Sequence, residues 1–418
     1  MLACCNGRSD SLTLEGRLVD ERRVVVTVEN GVIARIETGG SSDAVLAPAF
    51  VDPHVHLRTP GREDEETIAS GTAAAAAGGY CAILAMPNTD PAVDSAPVLR
   101  GLLETARREA VVPVGFMAAI SRSLGGEELT EMGELADAGA AAFTDDGRPV
   151  VSAGLLQRAL QYGAVTGKPL ALHCEEPTLS RDGQVHEGAV SAELGLAGYP
   201  SVGESTMVER DLALAGYEER PVHLMHLSAR ESVDALARAR DAGVQATGEV
   251  TPHHLCLTDE AVRSLDPNLK MNPPLRAERD RQALLDALRD GTIGCVATDH
   301  APHAREEKEV PFEAAPCGVT GLETAFAALY TRLVVPGLLP LATLLERMSA
   351  GPARALGLSE PRLEVGARAN LVLLDLETEW TVTEAGFHSR SANSWLLGQR
   401  LRGAVVQTVA DGRLVHAA

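Results

Sequence analysis

The chain has no CxxC pair, no long apolar run and almost no lysine. Seven cysteines, Cys4, Cys5, Cys81, Cys174, Cys256, Cys295 and Cys317, lie scattered through 418 residues. An odd, unpaired scatter in a long chain argues against a disulfide framework and against a zinc site made of thiolates; most read as buried thiols. No apolar run reaches the roughly 20 residues that span a bilayer, and MLACCNGRSD at the N-terminus has neither a basic region nor a long apolar one. No membrane partner and a cytoplasmic location are therefore expected. Lysine occurs only at Lys168, Lys270 and Lys308, and the other positive charges are arginines. A formal net charge of −21 works against nucleic acid and anionic lipid, because the long-range field repels both. An anionic small molecule stays admissible where the pocket itself carries cations.

What is present falls into two styles. Residues 13 to 48 hold short alternating or apolar segments broken by glycine, RVVVTVENG and VIARIETGG, the pattern of β-hairpins. The C-terminus repeats it in ANLVLLDLE and AVVQTVADGRLV. Residues 1–48 and 356–418 are expected to pair as one small β-sandwich domain, since the two ends of a domain often lie close together. Between them, over 49–355, eight apolar β-like runs alternate with helical stretches such as SAPVLRGLLETARREA, SAGLLQRALQYGAVTG and RAERDRQALLDALRDG. Eight strand-helix units predict an α/β chain built on a (β/α)8 TIM-like barrel. No internal repeat appears, and TAAAAAGG is the one alanine-rich tract.

In such a barrel the chemistry lies at the C-terminal ends of the strands. Those ends read HVHLR, MPNTD, FTDDG, HCEE, HLS, TPHH and TDHAPH. His54 and His56 alternate in FVDPHVHLRTPG, so a strand turns both rings to one side. With Asp145 or Asp146, His173, His226 and Asp299 they form a set of imidazole and carboxylate ligands suited to zinc, with manganese or cobalt as substitutes. Six ligands exceed what one tetrahedral ion needs, which points to two ions sharing a bridge. His223 and His226 stand three apart and face opposite sides of a regular strand; His226, nearer the strand end, is assigned to the site and His223 to packing under a helix. Arg58 lies on the His56 face, where a guanidinium can pair with a carboxylate.

The run from Phe50 to Gly61, with ETIASGTAAAAAGGY, AMPNTDP, FTDDG, ALHCE, MHLS, TPHHL, KMNPPLR, ATDHAPH, GVTGLET and GARANLVLLD following in order, resembles class I dihydroorotases of the amidohydrolase superfamily. The resemblance implies two zinc ions per subunit, one held by His54, His56 and Asp299, the other by His173 and His226. It implies Asp146 as their bridge. Other dihydroorotase classes, and the hydantoinases, bridge with a carbamylated lysine; none of Lys168, Lys270 and Lys308 ends the fourth strand, so a lysine bridge is not expected here. The implied reaction is the reversible hydrolysis of (S)-dihydroorotate to N-carbamoyl-L-aspartate in UMP synthesis, with Asp299 as base and then acid. Arg58, Asn88 and His303 are implied to meet the substrate carboxylate and Asn272 the ring, with Cys317 and Gly318 beside it. Cys317 stands where relatives often carry an aromatic residue.

His253, His254 and His186 read as structural, and Glu175 and Glu176 as residues that orient a ligand. HAREEKEVPFEAAPCG is the candidate mobile cover. Two rival functions remain: another cyclic-amide hydrolase, such as a hydantoinase or allantoinase, or an inactive scaffold for aspartate transcarbamoylase. A homo-oligomer is expected, and association of an active enzyme with aspartate transcarbamoylase stays open.

Overall fold

The computed structural model describes residues 2–4 and 11–418. Four strands come first: β1 (Leu12–Arg17), β2 (Arg23–Glu29), β3 (Val32–Thr38) and β4 (Val45–Pro48). β2 turns into β3 through Asn30 and Gly31, both at positive φ (54° and 78°), the two-residue turn whose twist matches the flanking strands.

One residue after β4 the chain enters β5 (Phe50–Val55) and a series of parallel strands. These are β6 (Tyr80–Ala85), β7 (Val114–Phe116) and β8 (Leu170–Leu172); after the small pair β9 (Val185–His186) and β10 (Gly198–Tyr199) come β11 (Val222–Leu224), β12 (Ala246–Val250) and β13 (Cys295–Val296). β5-β6-β7 form one arc and β8-β11-β12-β13 the other. Phe143 bridges to Ala118 and Leu170 on one side, and Val55 to His300 on the other, so the ring closes. The expected fourth strand, AAAFTDD, is thereby reduced to one residue, Phe143, with a bridge on each side. Its neighbour Asp145 spends its carboxylate on the backbone N–H groups of Ile120 (2.8 Å) and Ser121 (3.0 Å), a side chain doing there what a longer ladder would do.

The strands read as apolar runs because helices and sheet cover both faces; every residue of β6 is buried. The covering helices are amphipathic: over Ala96–Glu109 the buried positions include Leu99, Leu102, Leu103 and Ala106, one face of a 3.6-residue period. Ala153–Thr166 starts where the Ser152 side chain accepts the Leu155 N–H and stops at Gly167 in the left-handed region. The helix Ile68–Ala77 is alanine-rich because it is packed from two sides, against β6 and against the closing strands of the chain.

Those strands, β14 (Leu371–Thr381), β15 (Arg400–Ala410) and β16 (Arg413–Ala417), join the first four in one seven-stranded sheet of order β16-β15-β14-β4-β1-β2-β3. Leu14, Val26, Val28, Ile33, Leu46, Leu371 and Val409 form its core. β4 pairs antiparallel with β14, and Ala49 N–H then donates to Asn370 O (3.0 Å) just before β5 begins. The strand that carries His54 is thus anchored at its root in the terminal sheet. Among the described residues no helix is long and apolar enough to cross a membrane.

Gly78 ends the alanine-rich helix with no room for a side chain, since a Cβ there would lie 2.1 Å from the Leu322 carbonyl oxygen. Gly78→Val is expected to cost about 1–3 kcal/mol, the range for overpacking a close contact. Gly101→Ala, in open space on an exposed helix face, should be neutral or stabilise by about 0.5–1 kcal/mol. Urea unfolding of both variants checks the contrast.

Candidate metal centre

His54 and His56 leave the end of β5 with ring centroids 5.3 Å apart. Asp146 arrives from the stretch after Phe143, His173 follows β8, His226 follows β11 and Asp299 follows β13. The Asp146 carboxylate sits at the centre of the imidazoles: Oδ1 is 3.5 Å from His54 Nε2 and 3.7 Å from both His173 Nδ1 and His226 Nε2, and Oδ2 is 3.6 Å from His56 Nε2. Asp299 Oδ1 lies 3.3 Å from His54 Nε2 and 3.0 Å from His56 Nε2. Two overlapping groups, His54-Asp146-His226 and His54-His56-Asp299, have ligand atoms close enough to share an ion. Arg58, His226 and Asp299 are non-glycine residues at positive φ (56°, 32° and 49°), strain of the kind that concentrates at functional sites.

The histidines are held from behind. His54 Nδ1–H donates to Glu249 Oε1 (2.8 Å), His56 Nδ1–H to Asn88 Oδ1 (2.9 Å) and His173 Nε2–H to Glu175 Oε2 (3.0 Å). Each bond turns the ring's other nitrogen into the centre, where His56 Nε2 meets Asp299 Oδ1 (3.0 Å), His173 Nδ1 meets His226 Nε2 (2.9 Å), and His54 Nε2 faces Asp146 and Asp299. The fully buried His54 Nε2 has no hydrogen-bond partner among the described residues. A bare imidazole nitrogen facing two carboxylates is repelled unless a cation stands between them, so this donor set fits divalent metal bound through nitrogen and oxygen.

Electrostatics agree with that reading. Burial opposes charge on Asp146, yet the charge of His54 and the close approach of His226 hold its carboxyl well below the usual range. Asp299 is likewise held low, against burial, by the charge of His54 and the His56 hydrogen bond. Burial also disfavours a charged His54, but Asp146 and Asp299 outweigh it and raise the imidazole well above its ordinary value. Without metal, a proton on His54 thus supplies part of the missing positive charge.

In front of the centre lies a cavity of about 210 Å³. Arg58, Asn88, Asn272, His303, Cys317 and Gly318 all line it. Arg58 Nε is held by Pro302 O (3.0 Å) and Glu65 Oε2 (3.0 Å), and burial lowers the guanidinium's pKa. Asn88 is already engaged at both ends, accepting from His56 and donating to Asp146 Oδ2 (3.2 Å). His303 Nε2–H donates to Cys317 O (2.8 Å), and Asn272 Nδ2 donates to Glu175 Oε2 (3.1 Å).

Several sequence readings change here. Asp145 faces away from the imidazoles, toward Ile120 and Ser121, which leaves Asp146 alone at the centre. His223 stays out of the metal groups, but its ring binds polar partners: Nε2–H donates to Glu249 Oε2 (2.9 Å) and Nδ1 accepts from Thr247 (2.8 Å). The alternation argument fails because β11 ends at Leu224 and the chain reaches His226 at positive φ. Of the two acids after His173, Glu175 touches the ring, whereas Glu176 caps the short helix Pro177–Ser180. His254 bonds Thr251 and the Pro273 carbonyl, and His186 contacts Arg276, so neither joins the metal groups. The charged segment after β13 is fastened by the scarce lysines: Lys308 Nζ donates to Pro267 O and Pro316 O, and Lys270 Nζ to Glu313 O.

Glu249, Glu65 and Asn393 were not singled out in the sequence. Glu249 had a signal, as the lone acid within the strand run QATGEV; Glu65 was hidden in the acidic stretch REDEE. Asn393 had none, because it reaches Ala301, His303 and Gly318 from the far C-terminal segment.

A closed parallel barrel with histidines and aspartates gathered at its C-terminal rim defines a metal-dependent amidohydrolase. A family model described as dihydro-orotase-like matches residues 43–232. The chain is 44% identical to a dihydroorotase of Anaeromyxobacter sp. (strain K), covering 98% of both chains. It is 41% identical to one of Caldanaerobacter subterraneus subsp. tengcongensis, covering 94% of this chain and 93% of the relative. Among solved structures, the L-hydantoinase (dihydropyrimidinase) of Arthrobacter aurescens superposes with a TM-score of 0.86 at 25% identity, over 96% of this chain and 95% of its own. The chain belongs to the dihydroorotase family and is a cyclic amide hydrolase.

Asp146→Ala removes the one carboxylate common to all four histidines. Plasma emission analysis of protein dialysed after zinc loading is expected to show at least one ion fewer per chain than wild type, whereas Lys168→Ala should retain the wild-type content.

Proposed function

We propose that the chain hydrolyses (S)-dihydroorotate reversibly to N-carbamoyl-L-aspartate, the closure direction serving UMP synthesis. Two zinc ions are assigned, one to His54, His56 and Asp299, the other to His173 and His226, with Asp146 between them. The observation that carries this reading is the position of Asp146, within 3.7 Å of a ring nitrogen of every one of these histidines.

When bound, such ions supply Lewis acidity to the ring carbonyl and a water ionised near neutral pH. The protein's own groups do the rest. Asp299 accepts the proton of the attacking water and passes it to the ring nitrogen as the amide C–N bond breaks, serving first as base and then as acid. Arg58, oriented by Glu65 and Pro302, pairs with the substrate carboxylate, with Asn88 and His303 beside it. Asn272, held by Glu175, faces the ring, and Cys317 and Gly318 form the adjoining wall. The buried cations of the site offset the repulsion that a net charge of −21 sets against an anionic substrate.

The fold alone also accommodates hydantoinase chemistry, as its structural neighbours illustrate. Hydantoin carries no carboxylate, so it would offer no anion to the Arg58 guanidinium that borders the cavity. An inactive scaffold would need no ordered ligand set, and zinc content together with turnover separates it from an enzyme. Size-exclusion chromatography with and without aspartate transcarbamoylase reads the homo-oligomer and the mixed assembly.

The test is turnover of dihydroorotate, hydantoin and allantoin by the zinc-loaded protein; preference for either of the last two overturns the assignment. Asp299→Asn is expected to lower kcat by at least about 100-fold, the lower range of general acid–base contributions. Arg58→Met should act mainly on KM, raising it about 10- to 100-fold, since a charge-assisted hydrogen bond is worth about 1.5–3 kcal/mol.

A further inference from the structure

Glu249, at 0% exposure, is among the most deeply buried acids of the barrel, and the proposed chemistry does not use it. A buried carboxylate is costly to desolvate, and apolar residues of similar volume often hold a core equally well. Its three hydrogen bonds point to another purpose. Oε1 accepts both the His54 Nδ1–H (2.8 Å) and the backbone N–H of His226 (3.2 Å), and Oε2 accepts the His223 Nε2–H (2.9 Å). His223 is fixed in turn through its other nitrogen by Thr247 (2.8 Å), which lies two residues before Glu249 on the same strand. The carboxylate is therefore clamped on its outer side and offers one oxygen inward.

That oxygen touches both halves of the centre. Through the His54 ring it selects the tautomer whose bare Nε2 faces Asp146 and Asp299. Through the His226 main chain it supports a residue at φ 32°, a conformation rare for a side-chain-bearing residue and the one that places this ring beside Asp146. His54 and His226 stand on different strands, and their ring centroids are 5.3 Å apart.

We propose that Glu249 is a positioning residue that presets both metal half-sites at once, by fixing the His54 tautomer and the His226 backbone. This rests on the metal-pair reading above. Carboxylates behind metal-bound histidines typically change affinity 10- to 100-fold when removed. Glu249 differs from a partner serving one ligand in that its loss is expected to loosen both ions.

The experiment titrates metal-free wild type, Glu249→Gln and Glu249→Asp with zinc against a competing chelator, with thermal unfolding of the metal-free forms as the fold control. Glu249→Gln keeps the shape, but its neutral amide oxygen is a weaker acceptor than the carboxylate for the His54 Nδ1–H and the His226 N–H, and its amide nitrogen cannot accept from His223 Nε2–H, which unclamps the outer side. Both zinc dissociation constants are expected to rise about 10- to 100-fold, with the metal-free unfolding temperature within a few degrees of wild type. Glu249→Asp, one methylene short, should fall in the same direction. In cobalt-loaded wild type, proton NMR in H2O against D2O should show a slowly exchanging, hyperfine-shifted imidazole N–H from His54, absent in His54→Ala. Zinc constants within threefold of wild type in Glu249→Gln overturn the proposal. So does loss of affinity at one ion alone, or absence of the His54 N–H signal from wild type, which needs no variant to fold. Wild type that binds no zinc or cobalt at all would instead refute the metal-pair reading.

Discussion

The constraint on which the rest depends is a charge problem at one point. A buried carboxylate, Asp146, stands among four imidazoles while a second, Asp299, approaches two of them. Left as neutral rings and ionised acids, this cluster would press bare nitrogens against anionic oxygens in a poorly solvated place. Positive charge has to enter. Protons can supply some of it, as the raised His54 indicates, but divalent ions supply more and satisfy the nitrogen lone pairs.

The surroundings make sense as a scaffold for that point. Glu249, Asn88 and Glu175 each take the far nitrogen of one histidine, so the near nitrogens converge before any ion arrives. Glu175 then holds Asn272, and Glu65 holds Arg58, which extends the same rigidity outward to the cavity. The terminal sheet anchors the first strand, and the C-terminal Asn393 ties Ala301, the His303 backbone and Gly318 together at the rim. The three lysines are elsewhere: Lys168 precedes β8 at the opposite end of the barrel, and Lys270 and Lys308 pin backbone carbonyls.

Much of this could be read before any coordinates. The strands were legible because burial on both faces writes them as unbroken apolar runs, and the Asn-Gly and Asp-Gly turns announced their hairpins. His54 and His56 stood out because alternation on a strand gives two adjacent ligands a shared direction. Other features were hidden for physical reasons. Asp145 and Asp146 are neighbours of identical chemistry, and only the backbone that Asp145 caps separates their roles. His223 defied alternation because β11 stops two residues before His226. Glu249 looked like one acid in a short run, although its partners lie 195 and 26 residues away. The C-terminal contacts of Asn393 carried no local pattern at all.

The most direct measurement of the central claim is anomalous diffraction at the zinc edge from crystals of the zinc-loaded protein. The account predicts two peaks about 3.5–4 Å apart, with the Asp146 carboxylate between them and no lysine contributing a ligand. A single peak, or two peaks that share no oxygen of Asp146, would contradict it.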